Sequence, residues 1–453
     1  YVAFQDDLVK KIAGISLIQR SINLAKSINT DNSSICIFTD SEEISLIANR
    51  NNIESYLDSR LIWSETFLNQ FFDKILLSKL NKFDYMLILS PYSPLLNKQI
   101  IEDARVALIK SKKKLLKPII NIQRKVFTGK EQSISETIFN HSTNDLIIQS
   151  NSFLLFKSEI LKYYDNYQKH QVFSWLIPSH LSEIHTFHDW WVCEKIIMRK
   201  RIIFRIIGNS EVGMGHIYRC LTLAHDITDH EILFICDEDN KVAVSELAGY
   251  DYRLEVFEKS RLVENIIKLK PDLVINDILS TTKKDVIPLK DVGIRVVNFE
   301  DLGSGASEAD LTINELYETP QISGNRILWG HQNFFLREEF YKAKKHNFKK
   351  SIDQILLTFG GTDHLNLSSI VYLLIRDICT QCNIKINIVT GPGYGNFDKL
   401  FLQVKDNHLV SLTRSTGVIS SIMEKSQIAI TSNGRTVYEL AHLNIPAIVI
   451  SQH

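Results

Sequence analysis

Residues 200–207 read KRIIFRII, and residues 211–220 read EVGMGHIYRC. The first run is apolar and rich in β-branched residues; the second opens an amphipathic stretch, HIYRCLTLAHDI (216–227). A strand here hands the chain to a helix through a glycine-bearing loop. Gly213 and Gly215 let the backbone turn tightly, so that its N–H groups and the helix N-terminus behind them face an anion. The spacing is GxGHxxR: Arg219 stands where the last glycine of the dinucleotide fingerprint GxGxxG would be. No GxxxxGK[ST] occurs either, so neither NAD nor ATP is the natural ligand. The loop adds His216 at the first helical turn. A helix N-terminus favours the neutral imidazole and a bound diphosphate the charged one, so the two effects oppose. A neutral ring in that place can take a proton from water.

Working outward, the same logic recurs twice. QILLTFGGTD (354–363) ends a strand in Gly360 and Gly361, and Ser432, Asn433 and Gly434 precede the helical TVYELAH. One glycine-rich βα loop is as easily a plain tight turn as a ligand loop. Three in adjoining α/β units point to a nucleotide diphosphate. Glu439, seven residues beyond Ser432, can accept hydrogen bonds from two ribose hydroxyls. Asn276, Asp277, Glu300, Asp301 and Asn314 fall at strand C-terminal ends, the edge that faces the ligand crevice of an open α/β sheet.

The segments around these loops set the organisation. EILFICDED (231–239), DLVINDI (272–278), IRVVNFED (294–301) and ADLTINEL (309–316) follow at α/β spacing, which implies right-handed crossovers and a parallel sheet. REEFYKAKKHNFKKS (337–351) reads as a linker helix. A further unit carries QILLTFGGTD, KINIVTGPGYG (385–395) and the strands at 427–451. The chain stops at His453 just after a strand, so a shortened last domain is expected. Upstream, SICIFTD (34–40), FDYMLILSP (83–91), KPIINIQ (117–123) and LIIQSNSFLLF (146–156) read as strands, with FDYMLILSP as a buried parallel one. The expected domains are 1–198, 199–345 and 346–453.

At 453 residues the chain is too long for one core. Lys+Arg and Asp+Glu balance at 52 each, which gives no electrostatic footprint for nucleic acid or a membrane surface. The apolar runs are strand-sized, so no membrane span is expected. The six cysteines are sparse and read as reduced, which with the absence of a signal peptide points to the cytoplasm. Cys379 and Cys382 form a lone CxxC without a second pair, and His185, His188 and Asp189 form a local trio read as a polar helix start. No metal and no cofactor are therefore expected.

VGMGHIYRCLTLA, VINDILS, VNFEDLG, LREEFY, FGGTD and SNGRTVYELA occur in the order seen in the PseG-type UDP-sugar hydrolases. Residues 200–453 resemble that family, which implies a GT-B pair of Rossmann-like domains related to the MurG-type glycosyltransferases. It also implies metal-free release of UDP from a 2,4-diacetamido-2,4,6-trideoxy sugar, on the way to pseudaminic acid or another sialic-like nonulosonic acid. The resemblance makes His216 the catalytic residue and places Ser432 and Glu439 on the uridine and ribose. Residues 1–195 resemble the acylneuraminate cytidylyltransferases (CMP-sialic acid synthetases) through FDYMLILSPYSPLL, ICIFTDSEEISLIA and EIHTFHDWWVCEK. That implies a nucleotidyltransferase domain, Rossmann-like and GT-A-like. The family's Arg- and Lys-rich glycine loop is replaced by QDDLVKKIAG, its SPLR arginine by Leu96, and its first late aspartate by His185. Without a triphosphate cradle the domain is expected to be inactive.

The expected chemistry is hydrolysis. Loops at Gly213–Gly215, Gly360–Gly361 and Ser432–Gly434 hold the diphosphate. Arg219 shares the site, and Asp277, Glu300 and Asn314 bind the sugar. His216 deprotonates the water that attacks the anomeric carbon. The alternatives are a MurG-like glycosyltransferase, an active CMP-nonulosonate fusion enzyme and a non-catalytic nucleotide-sugar-binding protein.

Overall fold

A computed structural model describes residues 8–29, 33–57, 83–123, 127–128, 135–136, 145–162, 171–181, 183–209, 212 and 214–451. Two compact units divide the chain, Tyr1–Met198 and Arg199–His453.

In the first unit the principal sheet runs Val172–Leu176, Leu115–Gln123, Phe153–Lys157, Tyr85–Leu89. It is mixed. Tyr85–Leu89 is only half-buried, and its described partner Phe153–Lys157 runs antiparallel to it. The expected buried parallel strand at 83–91 is thus corrected. The reason lies in LIIQSNSFLLF, which is two strands, Asp145–Gln149 and Phe153–Lys157, broken at Ser150–Ser152. Both strands pair antiparallel with Leu115–Gln123. The buried Glu183 carboxylate holds that break by accepting from Ser150 Oγ at 2.8 Å and from the Asn151 N–H. Cys36–Thr39 and Glu54–Leu57 form a separate parallel pair.

The second unit carries the site, and its elements are labelled here. The first sheet contains β1 (Arg201–Ile206), β2 (Glu231–Asp237), β3 (Arg253–Phe257), β4 (Leu273–Asp277), β5 (Arg295–Phe299), β6 (Leu311–Asn314) and β7 (Ile327–Trp329). Its order is β3-β2-β1-β4-β5-β6-β7, parallel throughout. Helix α1 (Gly215–Asp226) follows β1. The second sheet contains β8 (Gln354–Thr358), β9 (Lys385–Thr390), β10 (Val410–Arg414), β11 (Ile428–Ser432) and β12 (Ala447–Ile450), in the order β10-β9-β8-β11-β12, again all parallel. Here α2 (Leu367–Gln381) follows β8 and α3 (Arg435–His442) follows β11. The expected α/β class is what the chain adopts, with a mixed sheet in the first unit and two all-parallel sheets, each followed by helices, in the second.

The period of two along β1 builds both faces of the first core. Ile202, Phe204 and Ile206 pack on one side with Phe234, Ile217 and Leu221, and Ile203 packs on the other with Leu233, Val274 and Val296. Burial of each such side chain contributes about 1.5–3 kcal/mol. The half-polar strand ends left over from this packing all point to one edge. The expected linker helix over 337–351 is only one short turn, Glu338–Lys342. Phe340 is its buried anchor; the charged residues after it offer no apolar face to pack, and Phe348 is exposed.

Candidate active site

A cavity of about 1250 Å3 opens where the C-terminal edges of the two sheets meet. Strand β1 is central in its sheet, so α1 begins at the floor of this cavity, and Gly215 and His216 line it. Gly213 lies outside the described residues. Gly215 is the first helical residue, and a Cβ there would meet open space, so its missing side chain leaves the helix end uncovered. Gly360, with φ +82°, and Gly434, with φ +134°, hold backbone that favours glycine, and both line the cavity with Gly361, Ser432, Asn433 and Glu439.

Helices α1 and α3 start without a side-chain cap, behind Met214 and Gly434. Their first N–H groups are the unsatisfied donors of a helix end, turned toward one cavity. The FGGTD loop differs from expectation. Asp363 accepts from the N–H groups of Leu367 and Ser368, both at 2.8 Å, and so caps α2 from within the chain. That helix end is taken; only the loop N–H groups around Gly360 and Gly361 remain to meet a ligand. Gly361 packs on Met214 and Gly391 packs on Gly361, so closely that Cβ atoms there would fall at 2.7 and 2.3 Å.

The His216 ring is fixed from behind. Asp277, at the end of β4, is fully buried and bonds His216 Nδ1 through Oδ1. Arg219, one turn further along α1, donates to the same carboxylate from Nε at 2.7 Å and Nη2 at 2.6 Å. Burial alone would raise the Asp277 carboxyl, but the Arg219 guanidinium and the His216 ring hold it well below the usual carboxylate range. An ionised Asp277 only accepts, so the tautomer that fits carries its proton on Nδ1. Nε2 is then the basic nitrogen of a ring that lines the cavity.

Arg219 is 2% exposed. Its Nη1 donates to Glu315 Oε1 at 3.0 Å and lies 3.5 Å from Glu300 Oε1. It lines the cavity as expected, while its Nε, Nη1 and Nη2 are each engaged by a carboxylate of the chain. The expected sugar contacts of Asp277 and Asn314 are corrected. Neither lines the cavity, and Asn314 exchanges hydrogen bonds with the Asp301 backbone at 2.8 and 3.1 Å. Glu300 does line the cavity, yet its Oε1 accepts from the N–H groups of Glu315 and Leu316 and its Oε2 is buried, so no oxygen is open to a sugar. Asp301 binds Thr281 and the Gly303 N–H, and Asn276 binds Asn298, which makes both strand-end braces. Glu439 is buried; Arg337 Nη2 donates to its Oε1 at 3.2 Å.

Two residues of the site escaped the sequence reading. Glu315, directly after Asn314, is fully buried and binds both Arg219 and Arg435. Arg435 is the first residue of α3, and its Nη2 also donates to the Phe335 carbonyl at 2.6 Å while its guanidinium sits 4.2 Å from the Phe334 ring centroid. The signal for Arg435 was its place inside SNGR; nothing local marked Glu315.

No protein-family model matches the chain. An uncharacterized protein of Methanocaldococcus jannaschii is 26% identical over 268 residues, 54% of this chain and 54% of that protein, so this chain matches about half of that relative's length. The UDP-2,4-diacetamido-2,4,6-trideoxy-beta-L-altropyranose hydrolase of Campylobacter jejuni is 27% identical over 246 residues, 53% of this chain and 87% of that protein. The spore coat polysaccharide biosynthesis protein SpsG of Bacillus subtilis is 23% identical over 255 residues, 54% of this chain and 75% of that protein.

Proposed function

We propose that residues 199–453 hydrolyse a UDP-linked 2,4-diacetamido-2,4,6-trideoxy sugar, of the β-L-altropyranose type, to free sugar and UDP. The observation that carries this reading is a histidine ring, anchored through Nδ1 by a buried aspartate, in a cavity that two uncapped helix ends also face. The likeness to the Campylobacter jejuni hydrolase, which extends over most of that protein, supports the substrate class. The diphosphate lies between the N–H groups at Gly215 and those at Gly434–Thr436, with Gly360, Gly361, Ser432 and Asn433 beside it. Glu439 takes the ribose hydroxyls. His216 Nε2 removes a proton from water; the oxygen attacks the anomeric carbon; the carbon–oxygen bond breaks, and its electron pair leaves on UDP. Backbone donors fixed in advance meet the charge that develops on the leaving diphosphate.

The test is mass spectrometry of products from a panel of UDP-diacetamido sugars in 18O-labelled water. Release of UDP with the label in the sugar supports the reading. Label in UDP, or no release without an added alcohol acceptor, sinks it; the second outcome favours a glycosyltransferase.

The unit Tyr1–Met198 is read as catalytically silent. Where a triphosphate cradle would stand, Lys11–Ile12 and Ile15–Ser16 form a two-stranded turn. Arg20 spends its guanidinium on the Ile12 carbonyl at 2.6 Å and Ala13 at 3.3 Å, and Glu194 accepts from Ala13 N. Residues 5–7 of the sequence stretch lie outside the described residues. Asp189 caps its own helix by accepting from the N–H groups of His185 and Thr186. Pyrophosphate release from CTP, magnesium and a nonulosonic acid would overturn this.

A further inference from the structure

The block LREEFY (336–341) takes no part in the hydrolysis, yet all of its residues but Phe340 line the cavity. Phe340 is fully buried and packs with Leu356, Met423 and Leu440, which fastens the block to the second sheet. Glu339 fastens it again: its Oε2 accepts from the Ser420 N–H at 3.1 Å, at the start of the short helix Ser420–Met423. Backbone held on both sides in this way gives Arg337 a fixed starting direction.

The Arg337 guanidinium uses both of its ends. Nη2 donates to Glu439 Oε1 at 3.2 Å, and Nη1 lies 2.8 Å from Glu339 Oε1. Its central carbon is 5.1 Å from the Phe340 ring centroid and 5.9 Å from that of Tyr218 on α1. Glu439, on α3, is buried, and among the described residues Arg337 alone donates to its carboxylate. Oε2 receives no hydrogen bond among the described residues and is not sealed in, so it is left to the cavity that Glu439 lines. The neighbouring cation Arg435 is taken by Glu315 and the Phe335 carbonyl. Burial pushes the Glu439 carboxyl up, and Arg337 does most to oppose it.

We propose that Arg337 is the positioning residue that aims the Glu439 carboxylate at the ribose, and that this pair lets the site tell a ribonucleotide from its 2′-deoxy counterpart. The inference rests on the reading of Glu439 as the ribose ligand and adds the residue that holds it. Arg337 acts through Glu439 and does not touch the reacting atoms. A planar fork bound to two carboxylates fixes the direction of each, which a flexible ammonium or a neutral side chain does not. The two ribose hydroxyls donate to a carboxylate held in this way. A 2′-deoxy ribose leaves one acceptor unpaired, and a charged acceptor in a cleft makes that loss large.

The test is the affinity of the protein for UDP and for 2′-deoxy-UDP by calorimetry, with no sugar attached, so that it does not depend on turnover. Wild type is expected to bind UDP about tenfold or more tightly than 2′-deoxy-UDP. Glu439→Ala and Arg337→Met should each bring that preference within about threefold, and Arg337→Met added to Glu439→Ala should change it little further. An Arg337→Met protein that keeps the wild-type preference overturns the proposal even where both nucleotides bind more weakly, because a phosphate contact or a packing role weakens both alike. A wild type that binds the two equally, or binds neither, overturns it too. If Arg337→Met does not fold, Arg337→Gln, neutral and shorter, is read in the same way. If the preference behaves as stated while no UDP-sugar is cleaved, the hydrolase reading fails and the assignment of Arg337 stands. If a UDP-sugar is hydrolysed while the preference is missing, the assignment fails and the hydrolase reading stands.

Discussion

His216 and Asp277 divide the labour at the residue scale. Replacing His216 with Ala removes the base but leaves the helix ends that hold the diphosphate. UDP release should fall by about 10²–10⁴-fold while UDP affinity by calorimetry changes little. Asp277→Asn keeps the shape and removes the charge on which the ring and Arg219 converge, so turnover should fall by a similar factor with UDP binding retained. The same aspartate leaves a mark on stability. Its folded carboxyl lies below its ordinary value of about 3.9. The stability it contributes is therefore complete above that ordinary value and is lost as the pH falls through the depressed one. Thermal melts taken between neutral and strongly acid pH should show a smaller acid loss in Asp277→Asn than in wild type. At neutral pH the variant is expected to be less stable by about 3 kcal/mol, since buried Arg219 keeps a positive charge with one partner fewer. His216 was visible in the sequence because an imidazole is out of place in a phosphate loop. Its anchor was not, because Asp277 lies 61 positions away and resembled the other polar residues at strand ends.

At the scale of elements, the three loops behave as two different devices despite similar sequences. Two leave a helix end open. The third is closed by Asp363, and its glycines serve the fit between neighbouring segments. Gly391 shows this most directly: a Cβ there would lie 2.3 Å from the Gly361 carbonyl oxygen, with no flexible side chain to move aside. Gly391→Ala should lower stability by about 1–3 kcal/mol and weaken UDP binding by displacing the Gly360–Gly361 turn. Gly395, whose Cβ would meet nothing, provides the control; Gly395→Ala should leave both melting temperature and affinity within error. The parallel strands of the second unit were legible because each is a continuous apolar run separated from the next by a helix-length segment. The mixed sheet of the first unit was not. The direction of Phe153–Lys157 depends on where the chain turns at Ser150–Ser152, and the Glu183 carboxylate that holds the turn comes from 33 residues away.

Across the whole second unit, the pair Arg435–Glu315 joins the sheet that carries His216 to the sheet that carries the SNG loop, and Met214 against Gly361 joins them again. Arg435 is largely buried, so a change there breaks a desolvated pair. Arg435→Met should cost about 3–5 kcal/mol by leaving the buried Glu315 carboxylate with Arg219 as its one remaining named cation, seen as a lower urea midpoint. Turnover should suffer more than UDP affinity, because Glu315 also holds Arg219 and through it the Asp277–His216 contact. Among the described residues no helix is long and apolar enough to cross a membrane. By itself, the sequence determined the alternation of strands and helices, the parallel sheets of the second unit and the glycine loops at their edges, because periodicity and backbone freedom are local properties. Only the tertiary structure decided which helix ends stay open and which carboxylates receive Arg219 and Arg435. Those choices are made by side chains 58, 96 and 120 positions apart, and a buried charge is satisfied by whichever partner the packing brings to it.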